Sequence, residues 1–471
     1  MSSKDIKRVH LVGIGGSGMT PLAEIAMQQG MQVSGSDRSR NHNCIRLEAS
    51  GAKIFEQHSS QNIDSSVDLV VYSSAISKTN PELKEASKLG ISSCHRSDFL
   101  KILIGDRKLI GVSGTHGKTS TTAIISHILN ECGYEPSAFI GGEVIGRSSY
   151  SYTGNGEYFV AELDESDGSF LKFSPFISVV NNIDLDHLDF YDNIETIKQA
   201  FSDFIASTDT DGSQIINWDN PYCREISQDN PSDERLAFGK KIGCDVRGLE
   251  FKTDIKGSRF KAVVERDLVE GIVPLIGDHN FQNILCALSV ARSLEIPIQE
   301  ACESLSSYQG VKRRLHQHYV SEKYRVYDDY AHNPGKISAC IGAVKQSHPG
   351  AHLCVIFQPH RYSRMKTMYN EFVESFTFAD TLILLPIFSA GESDCGTYKP
   401  ESFSRDVKSS SPNIQIHRLD RPPIPSELIE QFSTHSKTVF LSIGAGDVYQ
   451  VSHNLRDYLN GKEEQDQGEY P

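Results

Sequence analysis

Short apolar runs alternate along the chain with longer segments in which apolar residues recur every three or four positions. The short runs, such as VHLVGI at residues 9–14, are typical of buried strands, and the longer periodic segments are typical of helices. Strands that alternate with helices in this way predict parallel sheets with helices on both faces. The pattern therefore predicts an α/β protein.

The alternation falls into three blocks. The first ends near residue 106, the second opens with the strand KLIGVSG at 108–114, and the third begins around Gly310, before the strand YRVYDDY. A length of 471 residues allows several domains, since a domain typically takes roughly 100–200 residues. We predict three consecutive α/β domains at residues 1–106, 107–310 and 311–471. About ten residues at the end of the sequence are polar and acidic, which predicts an unstructured tail.

Charge and cysteine usage narrow the class of protein. The net charge of −14 disfavours nucleic acid or an anionic membrane as the main partner, because either would require a basic face. No apolar run approaches the roughly 20 residues of a membrane span. The ten cysteines contain no C-x-x-C pair, which is typical of reduced thiols in a cytoplasm. We expect a cytoplasmic protein with small-molecule partners.

The first block contains a glycine motif between its first strand and first helix. Gly13, Gly15 and Gly18 form G-x-G-x-x-G, and Asp37 follows at about the ~20-residue distance at which such folds hold a ribose hydroxyl. The glycines predict a diphosphate site. An NAD(P)-dependent oxidoreductase is one interpretation of this motif.

The second block opens with a lysine-containing glycine loop, GTHGKTS at 114–120. The strict phosphate-loop consensus fails because Val112 stands where its first glycine belongs. The shorter loop keeps the working parts, since Lys118 can reach terminal phosphates and Thr119 offers a hydroxyl to Mg²⁺. A glycine-rich turn that binds nothing is the alternative, but Gly-Lys-Thr between a strand and a helix favours ATP.

Two later strands are followed by acidic segments, AELDESD at 161–167 and NNIDLDH at 181–187. Carboxyl ends of strands in such sheets meet at one edge, and Mg²⁺ prefers oxygen ligands. Only one or two of these acids can be ligands, and helix caps or solvated loops are the alternative for the rest. The candidates are Glu162, Asp164, Glu165, Asp167, Asp184 and Asp186.

The third block places polar residues after its strands in the same way, with Asp329 and His332 after one strand and Arg361 and Arg364 after the next. Two arginines at i and i+3 beyond a buried strand of an acidic protein predict an anion site. An oxidoreductase leaves the lysine loop unexplained, and a nucleotide-binding regulator leaves these arginines unexplained. A ligase that uses ATP accounts for all three features.

Eight segments in this order resemble the Mur ligases of bacterial cell-wall synthesis, over a span from Val9 to about Val448. They are GIGGSGM, GTHGKTS, ELDESDGSF, NIDLDHLD, GDHNFQN, VKRRLH, DDYAHNP and QPHRYSR. The resemblance implies a Rossmann-like N-terminal domain that holds the UDP of a sugar nucleotide, a P-loop ATPase-like central domain and a Rossmann-like C-terminal domain.

The activity implied by the resemblance is ATP- and Mg²⁺-dependent ligation of L-alanine to the lactyl carboxylate of UDP-N-acetylmuramate, through an acyl phosphate, in peptidoglycan precursor synthesis. A related ligase that joins a preformed peptide to the same nucleotide is the alternative, because it would share every ATP motif. The oxidoreductase is the more distant one.

The resemblance also implies residue roles. The catalytic residues are Lys118, His116, Glu162 and His187. The ATP-binding residues are Gly114, Thr115, His116, Gly117, Lys118, Thr119, Ser120, Asn280 and Asn283. The residues for the UDP-sugar are Gly13, Gly15, Ser17, Gly18, Asp37, His332, Arg361 and Arg364. Thr119 and Glu162 are implied for one Mg²⁺, and Glu162 with His187 for a second.

Some of these residues have simpler interpretations. Mg²⁺ seldom takes an imidazole ligand. A cap of the following helix is therefore the alternative role for His187. Asn280 and Asn283 open a helix, where asparagine is a common cap. Some related ligases carry a carbamylated lysine at the metal site, and Lys198 is the lysine near these motifs, although an ordinary helix lysine is the alternative.

Overall fold

The computed structural model describes residues 6–147, 149–186, 190–254, 257–394, 396, 398–421 and 423–468, without the side chains of residues 254 and 463–468. The chain forms two compact units. The first comprises Met1–Phe251, Arg259–Pro274 and His279–Val311. The second comprises Lys252–Ser258, Leu275–Asp278 and Lys312–Pro471.

A five-stranded parallel sheet opens the first unit, in the order β3-β2-β1-β4-β5. Its strands are β1 (Arg8–Val12), β2 (Gln32–Ser36), β3 (Lys53–Phe55), β4 (Leu69–Tyr72) and β5 (Ser92–His95). Its helices are α1 (Thr20–Gln28), α2 (His42–Ala49), α3 (Pro81–Lys88) and α4 (Arg96–Ile104). The strand order reverses direction between β1 and β4, and open α/β sheets bind ligands beyond the strand ends at such a point.

A ten-stranded sheet follows, in the order β15-β14-β13-β12-β11-β10-β6-β9-β7-β8. Its strands are β6 (Lys108–Ser113), β7 (Ser137–Val144), β8 (Ser149–Tyr152), β9 (Tyr158–Glu162), β10 (Ile177–Val180), β11 (Ser213–Asn217), β12 (Arg235–Gly239), β13 (Val246–Asp254), β14 (Gly257–Val264) and β15 (Asp267–Val273). Its helices are α5 (Lys118–Glu131), α6 (Ile194–Ala206), α7 (Pro221–Asp229), α8 (Asp278–Ser293) and α9 (Ile298–Ser304).

The central strand β6 decides where the chemistry of this sheet gathers. It runs parallel to both neighbours, with Val112 opposite Glu162 of β9 and Val179 of β10. The loops that leave β6, β9 and β10 therefore emerge at the same edge. One apolar core continues through the two sheets of this unit and includes Leu103 of α4 and Phe170.

The second unit contains a six-stranded sheet in the order β16-β17-β21-β18-β19-β20, parallel except for β16. Its strands are β16 (His316–Val320), β17 (Tyr324–Asp329), β18 (His352–Phe357), β19 (Thr381–Leu384), β20 (Gln415–Arg418) and β21 (Thr438–Ile443). Its helices are α10 (Pro334–Ser347), α11 (Tyr362–Thr367), α12 (Tyr369–Glu374), α13 (Pro400–Ser410), α14 (Ser426–Gln431) and α15 (Tyr449–Gly468).

The three sheets confirm the predicted architecture of three consecutive α/β domains. The boundaries at residues 106 and 310 stay predictions. The described part of the predicted tail differs from the prediction, because α15 continues to Gly468. Residues 469–471 of that tail lie outside the described residues. The first half of α15 is anchored by buried residues such as Val451 and Leu455, and the Glu, Gln and Lys residues that follow are good helix formers, so the helix propagates.

Two further expectations bear on the structure as a whole. Among the residues that the structure describes, no helix is both long and apolar enough to cross a membrane. The nine cysteines within the described ranges are all unpaired.

Candidate active site

The glycine loop after β6 is shaped by two residues in the left-handed region. Gly114 has φ +136°, and Gly117, the N-cap of α5, has φ +81°. A Cβ atom on Gly114 would lie 3.0 Å from the Cβ of Asn181 and 3.1 Å from two backbone nitrogens. The loop therefore packs tightly against the end of β10, and the positive end of the α5 dipole points into it.

Lys118, the first residue of α5, turns its ammonium group back over this loop. Its Nζ donates to the carbonyl of Gly114 at 2.8 Å and to Glu165 at 2.6 Å, and it lies 3.9 Å from Asp164. Burial lowers the pKa of Lys118, but the carboxylates of Glu165, Asp164 and Glu162 raise this pKa by more, so it lies above its ordinary value. The lysine is therefore a fixed positive charge at the loop.

Thr115 and His116 tie the loop to the chain that follows β10. The Thr115 N–H donates to the Asn182 carbonyl at 3.0 Å, and the His116 N–H donates to the Asn182 side chain at 2.7 Å. The N–H of Asp184 donates in turn to the Thr115 hydroxyl at 2.9 Å. The His116 imidazole is 40 % exposed, with Nε2 3.5 Å from the Asp184 carboxylate. This leaves the imidazole at the open side of the loop.

Thr119 and Glu162 both flank the glycine pair of β7. The N–H of Gly141 donates to Glu162 Oε2 at 2.8 Å, and a Cβ on Gly142 would lie 3.1 Å from the Thr119 methyl group. Glu162 Oε1 has no hydrogen-bond partner in the described part of the chain. The hydroxyl of Thr119 and the carboxylate of Glu162 thus offer oxygen atoms near Lys118, and Mg²⁺ prefers oxygen ligands.

Two predicted residues add little to this picture. Ser120 is partly buried in the first turn of α5. His187, predicted as a metal ligand, lies outside the described residues, in the gap at 187–189.

Asn280 and Asn283 lie under the loop, buried at the start of α8. The Asn283 side chain accepts from the Thr121 hydroxyl at 3.0 Å and donates to Asn280 at 3.2 Å. A Cβ on Gly117 would lie 2.7 Å from the Asn283 amide oxygen. These contacts support the glycine loop from below, and the predicted role in ATP binding stays a prediction.

An acidic loop after β9 connects the lysine to the N-terminal domain. Arg96 Nη2 lies 3.4 Å from Asp164 and 3.3 Å from Asp167, and the Ser74 hydroxyl donates to Asp167 at 2.6 Å. Burial raises the pKa of Asp167, but hydrogen bonds from Ser169 and Ser74 and the charge of Arg96 lower this pKa by more, leaving it well below its usual range. Asp167 is therefore ionised and holds the two domains together at this point.

A cavity of about 1130 Å³ opens at the carboxyl edge of the first sheet, where its strand order reverses. Gly13, Ser17, Gly18 and Asp37 of the predicted sugar-nucleotide set line it. Gly15 is not a lining residue. Its N–H donates to the Asp37 carboxylate at 3.0 Å, and the side chains of Asn41 and Asn43 donate to its carbonyl. Arg96, Ser74 and Asp167 also line the cavity, so the acidic loop forms part of its wall.

A buried polar network lies beneath this cavity and carries no sequence motif. Glu82, fully buried, accepts from Ser36 at 2.7 Å and Asn62 at 2.6 Å, and it lies 3.2 Å from His58 and 3.4 Å from His10. Burial raises the pKa of Glu82, but its hydrogen bonds lower this pKa by more, leaving it below 4.5. His58 lines the cavity, so the network holds that imidazole in place.

The second unit brings His332, Arg361 and Arg364 together at the carboxyl edge of its own sheet. Arg364 Nη1 lies 3.1 Å from His360 Nδ1, and the rings of His360 and His332 are 6.1 Å apart between centroids. Burial and the charge of Arg364 lower the pKa of His332 to about 3, so its imidazole is neutral. Arg361 has φ +68°, a strained conformation of the kind that clusters at functional sites.

Two other charged residues, Lys198 and Arg313 of the segment VKRRLH, are engaged in local structure. Lys198 pairs with Glu195 and Glu225, and Arg313 donates to the carbonyl of Gly444 at 2.7 Å. The sequence interpretation missed Arg96, Ser74, His58 and His360. His360 lies within the segment QPHRYSR but was not singled out there. The other three lack a local motif, and their only signal is a position beyond a strand or at the start of a helix.

Three family models match the chain in succession. They describe a catalytic domain of the Mur ligase family over residues 8–108, a Mur ligase middle domain over 112–291 and a Mur ligase glutamate ligase domain over 313–446. The UDP-N-acetylmuramate--L-alanine ligase of Persephonella marina is 36 % identical over 460 residues, which is 97 % of this chain and 98 % of that protein.

Two solved structures are similar in fold. The UDP-N-acetylmuramate-alanine ligase of Thermotoga maritima superposes with a TM-score of 0.80 at 26 % identity, over 97 % of this chain and 99 % of that chain. The murein peptide ligase of Psychrobacter arcticus superposes with a TM-score of 0.67 at 22 % identity, over 95 % and 98 %. The second similarity concerns the fold alone.

Proposed function

The chain belongs to the Mur ligase family, and from this premise we propose that it uses ATP to join L-alanine to the lactyl carboxylate of UDP-N-acetylmuramate. The reaction is a step of peptidoglycan precursor synthesis, and we place it in the cytoplasm, where unpaired cysteines are stable. The relative from Persephonella marina, matched over nearly the whole of both chains, supports L-alanine over a peptide as the amine substrate.

One observation carries the proposal. Asp164 lies 3.9 Å from Lys118 at the glycine loop and 3.4 Å from Arg96, which lines the cavity of the N-terminal domain. A loop suited to a triphosphate and a cavity suited to a nucleotide are thus joined through a single carboxylate. A ligase needs this adjacency, because the carboxylate of its bound substrate must reach the γ-phosphate of ATP.

In the proposed complex, UDP-N-acetylmuramate occupies the 1130 Å³ cavity, with its diphosphate against the backbone around Gly13 and Gly18. ATP lies on the loop at 114–120, where Lys118 exchanges its contact with Glu165 for the β- and γ-phosphates. His332, Arg361 and Arg364 of the C-terminal domain bind the muramyl substrate and the transferring phosphate.

Mg²⁺ would be held by Thr119 and Glu162, and it neutralises charge on the phosphates when bound. Glu162 fits this role because its Oε2 is fixed by a backbone N–H while Oε1 is available. His187 is proposed with Glu162 for a second ion.

The chemistry has two steps. A lactyl carboxylate oxygen attacks the γ-phosphorus, the bond from that phosphorus to the bridging oxygen breaks, and ADP leaves with the electron pair. The amine of L-alanine then attacks the acyl carbon, phosphate leaves, and the amine loses a proton. Lys118 stabilises negative charge that develops on the transferring group, and His116 at the open side of the loop contacts the reacting carboxylate.

ADP release tests the proposal when UDP-N-acetylmuramate and ATP are combined with one amine at a time: L-alanine, glycine, L-serine or a free tripeptide. We expect turnover with L-alanine, and loss of turnover when Mg²⁺ is chelated. Turnover with the tripeptide alone would replace the proposal with the peptide ligase. Turnover with none of these amines would remove the muramyl ligase assignment.

A further inference from the structure

Two histidines and an aspartate that have no role in the proposed reaction lie close together in the second unit. His316 and His318 belong to β16, and Asp328 belongs to β17. One ligand atom from each of the three lies within 4.8 Å of the other two, and this is the one such grouping of His, Cys, Asp or Glu among the residues described. The His318 and Asp328 side chains are 4 % and 3 % exposed.

A bulge in the antiparallel pairing produces this convergence. Successive side chains of a regular strand point to opposite faces. Here His316 pairs with Asp328 and Gln317 with Tyr327, and the register then shifts, so that His318 is the extra residue. Bulges of this kind re-aim side chains and are common beside functional sites. Both imidazoles are thereby directed at one carboxylate.

The spacing fits tetrahedral coordination. Asp328 Oδ1 lies 3.2 Å from His318 Nε2 and 3.7 Å from His316 Nδ1. Ligand bonds of about 2.0–2.2 Å to zinc place neighbouring tetrahedral ligands roughly 3.3–3.6 Å apart. The two distances bracket this range, so small side-chain movements would complete the geometry.

The same atoms lack hydrogen bonds. Neither His318 Nε2 nor Asp328 Oδ1 has a hydrogen-bond partner within the described ranges, although both are buried and only 3.2 Å apart. Their separation suits a hydrogen bond, but its angular geometry is not met. A buried polar atom without a partner is costly, and a shared cation would satisfy both atoms.

A neighbouring helix holds one of the two imidazoles in place. His453 of α15 packs against His318, with ring centroids 4.9 Å apart, and limits its rotation.

We propose that His316, His318 and Asp328 bind a divalent cation of the zinc class, with a water molecule in the fourth position. Two imidazoles and one carboxylate select Zn²⁺, Co²⁺ or Ni²⁺ over the harder Mg²⁺ that ATP requires. The ion would join the antiparallel edge strand β16 to β17 and stabilise this sheet.

Metal binding to the full chain tests the proposal after its affinity tag is removed and it is dialysed against a chelator. We expect one equivalent of Zn²⁺ by calorimetry, the visible spectrum of tetrahedral Co²⁺ on substitution, and a zinc-dependent rise in Tm. His318→Asn should weaken Zn²⁺ binding by at least about tenfold and remove the rise in Tm. Asp328→Asn should do the same.

His417→Asn is the matched control, because His417 lies on the distant strand β20 of the same sheet. It should bind Zn²⁺ like the wild type. Absence of stoichiometric binding by the wild type would overturn the proposal, as would equal affinities of the His318→Asn and His417→Asn variants. Should Asp328→Asn fail to fold, His318→Asn still decides the outcome. Activity with ATP and UDP-N-acetylmuramate is not the readout, so the ligase proposal can fail independently.

Discussion

Exchange of Lys118 for methionine separates two roles that this side chain combines. Its ammonium group bonds Glu165 at 2.6 Å and Gly114 at 2.8 Å, and in the proposed reaction it also contacts the phosphates of ATP. Methionine keeps an unbranched stem of similar length but carries no charge. The expected losses of stability and of activity therefore have different causes and should respond differently to a second substitution.

The stability loss follows from the burial of the pair. The side chains of Lys118 and Glu165 are 12 % and 2 % exposed, so Lys118→Met removes the positive charge 2.6 Å from a carboxylate that has little access to water. Removal of one partner from a buried ion pair lowers the free energy of unfolding by about 3–5 kcal/mol. Because the lysine is partly exposed, we expect a loss of about 3 kcal/mol for Lys118→Met. Combining Lys118→Met with Glu165→Gln also removes the buried negative charge that Lys118 neutralised, so the double variant should regain part of this stability.

The activity loss should not be regained. Removal of a group that stabilises transition-state charge lowers kcat by about 10²–10³-fold. We expect this loss in Lys118→Met and again in the double variant, by ADP release under saturating substrates. Thermal unfolding of the same samples measures stability.

Lys198→Met is the matched control, because Lys198 is also a lysine in ion pairs, with a side chain 11 % exposed on α6, although its partners Glu195 and Glu225 are 72 % and 51 % exposed. It should keep full activity. If the double variant regained activity together with stability, Lys118 would have only a structural role. Wild-type turnover by Lys118→Met would refute the assignment of the phosphate loop.

Three further predictions concern the cavity, its buried network and the loop. Arg96→Ala should weaken the binding of UDP-N-acetylmuramate about tenfold in calorimetry, since a charge-assisted hydrogen bond is worth about 1.5 kcal/mol. ATP binding should be unchanged, and weakened ATP binding would contradict this prediction. The pKa of Glu82 in the folded protein lies below 4.5. Ionised Glu82 therefore contributes fully to the stability of the fold above pH 4.5, and this contribution is lost as the pH falls through the pKa of the folded state. Glu82→Gln should therefore flatten the acid side of the Tm–pH profile, and an unchanged profile would count against the network. Gly114 has φ +136°, so Gly114→Ala should reduce ATP affinity at least tenfold and lower the free energy of unfolding by about 1–3 kcal/mol. Gly30→Ala is the control, because Gly30 has φ +86° with open space around it, and this variant should keep its ATP affinity.

Elements whose cause is local were predictable. The alternation of apolar runs with periodic segments indicated the α/β architecture, and the strand-turn-helix around Lys118 was visible because all its parts lie within a dozen residues. The motif order indicated the family for the same reason. Local signals were weaker at the tail, where polar composition predicted no structure and α15 continues to Gly468.

The partners of those elements were not predictable. Nothing near residue 96 in the sequence indicates that Arg96 contacts Asp164 and Asp167, 68 and 71 positions away, or that Ser74 bonds Asp167 across 93 positions. The choice of Glu165 as the partner of Lys118, among several acids of one segment, also came from the fold.

By itself the sequence determined which segments become strands and helices and where glycine, lysine and acidic residues stand at strand ends, because these depend on neighbours along the chain. Only the tertiary structure decided which of these ends meet. Strand order and register set those distances, and both arise from packing between segments far apart in sequence, as when Glu162 of β9 is placed beside β6.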